Sequence, residues 1–311
     1  IEMSVTNDFD DYFLAEPLKE KIKSGEISEE VIDEKVLRIL KLMVKLHMLG
    51  GERKSGSYNT PGHRQKALDV ARQSVVLLKN EGQPLPLKKE KLKKILVIGE
   101  NADRIHSNGG GSAEIKALYE ITPLMGLKTH LGGNVQVDYA KGYCREEQPE
   151  TGSTNWQETS LEHGGGSVGT AGAESIGLAR KRQQLREEAV RLAGEYETVI
   201  YVGGLDHGQD CEGNDRPDMK LPYGQDQLLR EHPETIVVLM GGSPVEMGSW
   251  ISKAKSLVWC WYAGMEGGSA LAEVLLGETN PSGKLPETFY KTHKDCSAHA
   301  LGEFPGGKTV A

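Results

Sequence analysis

Residues 198–204, TVIYVGG, form an unbroken apolar run that ends in two glycines, and this stretch decides the fold. Similar runs recur along the chain: KILVIG at 94–99, VQVDYA at 135–140, TIVVLM at 235–240 and SLVWCWY at 256–262. Unbroken rather than alternating apolar runs are typical of strands that are buried on both faces. Helical patterns separate them, for example at 179–194 and 268–276. The sequence therefore predicts an α/β fold with a mostly parallel sheet sandwiched by helices.

The first fifty residues have a helical pattern instead. Ser28 is suited to cap a long amphipathic helix that stops at Gly50, and apolar residues recur along it at helical spacing. A polar segment with glycine and proline follows and is typical of a linker. We therefore predict helices in 1–50, a linker at 51–66, an α/β domain at 67–290 and a trailing segment at 291–311.

Composition excludes several classes of protein. The net charge of -8 argues against a nucleic-acid partner, and no apolar run approaches the length of about 18 residues that a membrane span needs. The cysteines are far apart in sequence and include no C-x-x-C pair, so zinc has no support; they are Cys144, Cys211, Cys260 and Cys296. Unpaired thiols are favoured, while a bridge between Cys144 and Cys211 and the cellular compartment (cytoplasmic, periplasmic or secreted) stay open.

The loop after 198–204 concentrates acidic residues. It reads DHGQDCEGNDRPDMKLP at 206–222, with acids at Asp206, Asp210, Glu212, Asp215 and Asp218. Ligands bind beyond the carboxyl ends of parallel strands, and crowded acids can raise the pKa of one carboxyl into the range of a general acid. The spacing does not fit a calcium loop, so we predict no metal here. A catalytic carboxylate and a solvated acidic turn remain equally compatible with these residues alone.

Other motifs for catalysis or cofactor binding fail on spacing. VIGENADRIHSNGGGSA at 97–113 follows a strand, but its glycines do not form the G-x-G-x-x-G pattern that binds dinucleotides. A loop that closes over a polar small molecule is favoured, and no cofactor is expected. No G-x-S-x-G signature supports a serine hydrolase. The polar, glycine-rich segment at 144–175 is typical of an exposed insertion.

Several further motifs occur in order along the chain: the segment 16–50, ARQSVVLLKNEGQPLPL at 71–87, VIGENAD at 97–103, GGGSA at 109–113, GGSPVEM at 241–247, the segment 261–289 and HALGEFPGG at 299–307. Together and in this order they resemble the family 3 glycoside hydrolases, specifically their β-glucosidase-like branch. The resemblance implies that residues 1–50 are the last helices of a (β/α)8 barrel. It implies that the following domain is the family's α/β sandwich, with a further module after the trailing segment.

The resemblance also implies a chemistry. In this family a barrel aspartate attacks the sugar and a glutamate in an E-G-x-D-R motif is the general acid/base; here EGNDR assigns that role to Glu212. A retaining mechanism of this kind needs two carboxyl groups about 5–5.5 Å apart. The barrel aspartate has no counterpart in the sequence, so we expect the isolated chain to be inactive without the barrel domain or a chain that supplies it.

We assign supporting roles to neighbouring residues as hypotheses of our own. We expect the loops at 108–113 and 206–216 to form one wall of a sugar pocket, lined by Ser112, His207, Asp210 and Asn214. Asp215 and Arg216 are expected to fasten the loop as an ion pair. The expected substrate is a β-glucoside or oligosaccharide. A β-xylosidase, a phosphorolytic variant, a non-catalytic sugar-binding fragment and a homo-oligomer stay open.

Overall fold

The computed structural model describes residues 12–109, 115, 117–145, 176–210, 216, 218–232 and 234–300. The chain forms two compact units: described residues up to Tyr58 belong to the first, and described residues from Asn59 onward belong to the second. None of the described helices combines the length and the apolar character that a membrane-spanning segment needs.

The first unit contains two helices, α1 (Glu16–Lys23) and α2 (Glu29–Lys45). The Ser28 hydroxyl accepts a hydrogen bond from the Glu30 N–H at 3.2 Å, which is the cap that the sequence predicts. Seven apolar side chains of α2 remain 40–60% exposed, from Leu40 at 40% to Ile39 at 60%. The expectation that these helices close a barrel stays a prediction.

The second unit alternates strands and helices. In chain order its elements are α3 (Pro61–Ser74), β1 (Val76–Asn80), β2 (Lys94–Ile98), α4 (Pro123–Leu131), β3 (Gln136–Ala140), α5 (Ile176–Ala193), β4 (Val199–Gly204), α6 (Gln225–Glu231), β5 (Ile236–Met240), β6 (Ser256–Trp259), α7 (Gly267–Leu276) and α8 (Ser297–Ala300). The strands form one sheet in the order β1-β6-β5-β4-β2-β3. All pairs are parallel except β1 with β6. The predicted mostly parallel α/β fold is confirmed.

Alternate residues of the central strand β4 enter two separate cores. Ile200 and Val202 pack in the cluster that contains Leu127 of α4 and Leu271 of α7. Val199 and Tyr201 pack in the opposite cluster, with Ala189 of α5 and Leu228 of α6. Because both faces of β4 are covered, every residue of the strand is buried. This two-sided burial is the physical reason for the unbroken apolar runs in the sequence.

One boundary differs from the sequence-based interpretation. Helix α3 begins at Pro61, inside the segment predicted to be a linker up to residue 66. The Thr60 hydroxyl accepts a bond from the His63 N–H at 3.2 Å, and the His63 ring accepts one from the Thr60 N–H at 3.4 Å. This capping box starts the helix earlier than the apolar pattern indicates, and proline is well suited to the first helical turn. The other domain bounds stay predictions.

Candidate active site

The carboxyl edge of the sheet depends on two glycines with positive φ. Gly99 follows β2 with φ 122°, and Gly204 ends β4 with φ 120°. A Cβ atom on Gly99 would lie 1.9 Å from the Val202 carbonyl oxygen, and one on Gly204 would lie 1.9 Å from that of Met240. Only glycine fits either position, so the loops after β2 and β4 can leave the sheet directly beside the neighbouring strand.

The end of β4 is also held by a side chain that the sequence analysis missed. Gln225, at the start of α6, is fully buried. Its side chain donates to the Gly204 carbonyl oxygen and accepts from the Gly204 N–H, both at 2.8 Å, and it also accepts from the Tyr201 hydroxyl at 2.6 Å. These bonds satisfy backbone groups at the strand end and fix the point from which the acidic loop begins.

Asp206, the first acid of that loop, is buried and fully partnered. One carboxylate oxygen accepts from Arg104 Nη1 at 2.7 Å, and the other accepts from the Gly208 N–H at 2.8 Å and the Tyr223 hydroxyl at 3.1 Å. Arg104 also pairs with Glu100 at 2.9 Å. Burial lowers the pKa of Arg104, but the negative charges of Asp206 and Glu100 raise it, and the net shift is upward. This ion-pair cluster joins the loops after β2 and β4.

Three rings meet edge to face beside this cluster. The ring centroid of His106 lies 6.1 Å from that of His207 and 5.6 Å from that of Tyr262, and the last two are 5.8 Å apart. His207 Nε2 lies 2.5 Å from the Asn108 carbonyl oxygen. His106 is only 4% exposed, and neither of its ring nitrogens has a hydrogen-bond partner among the described residues. Burial, aided by the positive charge of Arg104, lowers the pKa of His106 to about 3, so the imidazole is neutral.

Asp210 and Arg216 attach to the same short segment after β5. The Asp210 carboxylate accepts from the Gly242 N–H at 2.5 Å and from the Ser243 hydroxyl at 2.8 Å. Arg216 Nη2 donates to Ser243 Oγ at 3.2 Å and to the Pro244 carbonyl oxygen at 2.7 Å. Burial lowers the pKa of Arg216, with Asp210 acting in the opposite direction. Residues on both sides of 211–215 are therefore fastened to 242–244.

The predicted site residues divide into two groups. Glu212, Asn214, Asp215 and Ser112 lie outside the described residues, so their assigned roles stay predictions. His207, Asp210 and Arg216 are described and come together at the carboxyl edge, as their sequence position indicates. The bonds of Asp210 and Arg216 to 242–244 favour loop fastening for both, and sugar binding by Asp210 and His207 stays a prediction. The role of Ser243 was missed, because nothing in the local sequence marks a contact more than thirty positions away.

The described part of the chain contains side chains of the types that bind metal ions, and three cysteines. Within it, no group of three or more His, Cys, Asp or Glu side chains is arranged to hold a metal ion. Cys144, Cys260 and Cys296 are free thiols there, while Cys211 lies outside the described residues. A cavity of about 20 Å³ next to His106, lined also by Ser107, Glu120 and Thr122, has room for about one water molecule and not for a sugar ring.

These features define a class of protein domain. A mostly parallel sheet covered by helices, with polar loops gathered at its carboxyl edge, is an α/β sandwich that presents one side of a ligand site. Residues 75–308 match the glycosyl hydrolase family 3 C-terminal domain, and the chain belongs to that family.

Known relatives agree with this assignment. The β-glucosidase BoGH3A of Bacteroides ovatus is 36% identical over 316 residues, an alignment that covers 96% of this chain and 38% of the relative. The probable β-D-xylosidase 6 of Arabidopsis thaliana is 31% identical over 284 residues, covering 86% and 31%. The crystal structure of a family 3 β-glucosidase from Bifidobacterium adolescentis superposes with a TM-score of 0.73 at 26% identity, covering 95% and 38%. The chain thus spans well under half the length of these relatives.

Proposed function

We propose that this chain is part of a retaining β-glycosidase, a β-glucosidase that hydrolyses terminal β-D-glucosyl residues, and that Glu212 is its general acid/base. The observation that carries the proposal is the sequence EGNDR at 212–216, in a chain that belongs to family 3. Asp210, two positions before Glu212, and Arg216, the last residue of the motif, are tied to the carboxyl edge of the sheet, where α/β proteins bind ligands. The nucleophilic aspartate lies in a (β/α)8 barrel domain, and the isolated chain hydrolyses nothing.

The two chemical steps require opposite behaviour from one carboxyl group. In the first step the Glu212 carboxylic acid protonates the glycosidic oxygen while the barrel aspartate bonds to the anomeric carbon. In the second step the Glu212 carboxylate takes a proton from the water molecule that releases the sugar. Arg104 is already paired with Asp206 and Glu100. The described loops fix Asp210 and Arg216 to the sheet edge, and the barrel completes the pocket.

The test is Glu212→Ala in the complete enzyme. A general acid contributes about 10²–10⁴-fold to rate, so we expect kcat/KM on alkyl or 4-nitrophenyl glucosides to fall by that factor. On 2,4-dinitrophenyl glucoside kcat/KM should fall much less, because its leaving group needs no proton, while release of the sugar without its base should limit kcat. Azide should then raise kcat on that substrate and yield β-glucosyl azide, because it replaces the water that needs a base.

The matched control is Asp218→Asn, which changes another acid of the same stretch and should retain the parent rates. Unchanged activity in Glu212→Ala would refute the assignment. Glucose binding without turnover in the complete protein would instead indicate a non-catalytic sugar-binding domain. Hydrolysis by the purified 311-residue chain would show that the catalytic pair lies wholly within it.

A second candidate is β-xylosidase activity, which the match to a probable β-D-xylosidase favours. Glucose and xylose differ by one hydroxymethyl group, whose contacts would come from the barrel. Parallel kcat/KM measurements with 4-nitrophenyl β-D-glucoside and β-D-xyloside separate the two activities. Repeating them with and without phosphate detects a phosphorolytic variant, because only that variant would release the sugar 1-phosphate.

A further inference from the structure

The structure assigns a positioning role to Ser243, which holds the segment that carries the proposed acid/base. This inference rests on the proposed function of Glu212. One oxygen atom, Ser243 Oγ, donates to Asp210 Oδ1 at 2.8 Å and accepts from Arg216 Nη2 at 3.2 Å. Asp210 precedes residues 211–215 and Arg216 follows them, so a single hydroxyl joins both ends of that segment.

Backbone groups on either side of Ser243 reinforce the junction. The Gly242 N–H donates to Asp210 Oδ2 at 2.5 Å, and the Pro244 carbonyl oxygen accepts from Arg216 Nη2 at 2.7 Å. A Cβ atom at position 242 would lie 2.8 Å from Asp210 Oδ2, so the glycine is what allows the carboxylate to approach. We call Asp210, Arg216 and residues 242–244 the clasp. Its bonds involve ionised groups, which makes them stronger than bonds between neutral partners.

The clasp is anchored to the sheet. Segment 242–244 follows β5 after one residue, and every residue of β5 is buried. The Met240 carbonyl oxygen accepts from the Leu205 N–H at 2.8 Å, which joins the ends of β5 and β4. On the other side Val245 is fully buried, and the Glu246 N–H donates to the Met219 carbonyl oxygen at 2.6 Å. Asp210 and Arg216 are therefore bonded to a segment that the buried core of the sheet anchors.

Acid catalysis tolerates little displacement of the acid from the leaving oxygen. Proton transfer requires the acid within hydrogen-bond distance of the leaving oxygen, and a shift of about 1 Å can cost roughly 100-fold in rate. Ser243→Ala deletes the shared hydroxyl and leaves the bonds of Asp210 to the Gly242 N–H and of Arg216 to the Pro244 carbonyl oxygen. The barrel nucleophile is not touched by this change, so the loss should fall on the proton transfers that Glu212 performs.

The test measures leaving-group dependence in the complete enzyme. For Ser243→Ala we expect kcat/KM on alkyl and 4-nitrophenyl glucosides to fall by roughly 10- to 100-fold. On 2,4-dinitrophenyl glucoside it should stay within about twofold of the parent, since no proton is needed to expel that group. Ser243→Thr keeps the hydroxyl and should restore most of the rate. Rates are normalised to the burst of dinitrophenolate, so a smaller folded fraction cannot imitate the effect.

Two further variants separate the roles. Ser249→Ala removes an exposed hydroxyl from the same connection, one bonded only to Arg230 at 3.3 Å, and should behave like the parent enzyme. Ser243→Ala combined with Glu212→Ala should be no slower than Glu212→Ala alone, because groups that act as a unit are not additive.

Each failure has a distinct signature. If Glu212→Ala is slow and Ser243→Ala is not, the clasp inference is wrong while the proposed function stands. An equal loss on all leaving groups, or a loss that persists without Glu212, also overturns the positioning role. If Glu212→Ala itself is unaffected, the proposed function fails and the inference fails with it.

Discussion

Asp226 is a partly buried acid whose replacement should stabilise the domain. It lies in the first turn of α6, and its Oδ1 accepts from the indole N–H of Trp250 at 2.9 Å. Burial raises the pKa of this carboxyl from 3.8 to about 6, although the Trp250 bond and the positive charge of Arg230 oppose the rise. Asp226→Asn keeps an oxygen for the indole N–H and removes the charge. The amide should therefore be better tolerated at neutral pH than the carboxylate.

The sign and size of the change in the free energy of unfolding follow from proton linkage. The folded pKa is above the unfolded one, so folding retains the proton and stability falls as pH rises from about 3.8 to about 6. A rise of this size in the pKa corresponds to a loss of about 3 kcal/mol in the free energy of unfolding at high pH. Asp226 is partly exposed, and solvent screening reduces that to roughly 1–2 kcal/mol. The gain from Asp226→Asn should be complete above pH 6 and nearly absent near pH 4.

The assay is urea unfolding of the purified chain at pH 8 and at pH 4, followed by far-ultraviolet circular dichroism. The control is Asp103→Asn, the same chemical change at an exposed position, which should alter the free energy of unfolding by less than about 0.5 kcal/mol. A gain that is equal at both pH values would refute the linkage argument. A loss at pH 8 would show that the carboxylate, with its ionic surroundings, stabilises the fold after all.

Substitutions at two other places test further ionisable groups. Arg72 of α3 binds Glu273 of α7, which is only 6% exposed, through two hydrogen bonds of 2.5 and 2.6 Å. Arg72→Met should lower the free energy of unfolding by about 3–5 kcal/mol, and adding Glu273→Gln should recover part of that loss. The pKa of His106 in the folded state is about 3, below its ordinary value of 6.5. Between these values the imidazole stays neutral in the folded state and takes up a proton in the unfolded state. The free energy of unfolding therefore falls as the pH drops below 6.5. In His106→Leu the decline between pH 6.5 and 4.5 should be smaller by roughly 2–3 kcal/mol in the same unfolding assay, and an identical decline in both proteins would contradict the burial of a neutral imidazole.

Much of the fold could be predicted from the apolar runs, because a strand covered on both faces consists mostly of apolar residues. That requirement predicts β2, β4, β5 and β6 and the acidic loop at their carboxyl edge. The start of α3 was predicted too late, since Thr60 and His63 cap it through contacts that apolar periodicity does not record. The antiparallel pairing of β1 with β6 was also not predicted, because pairing direction depends on where the chain returns to the sheet.

The sequence by itself determined the α/β class, the family and the motif that assigns acid/base chemistry to Glu212, because these depend on residue type and short spacing. Only the tertiary structure decided which neighbouring acids are already neutralised. Asp206 is paired with Arg104, 102 positions away, and Asp210 is bonded to Ser243, 33 positions away. Contacts of that range follow from sheet order and from which loops leave the sheet together. Asp206 and Asp210, which are equivalent in sequence, therefore acquire different partners once strands β2, β4 and β5 lie side by side.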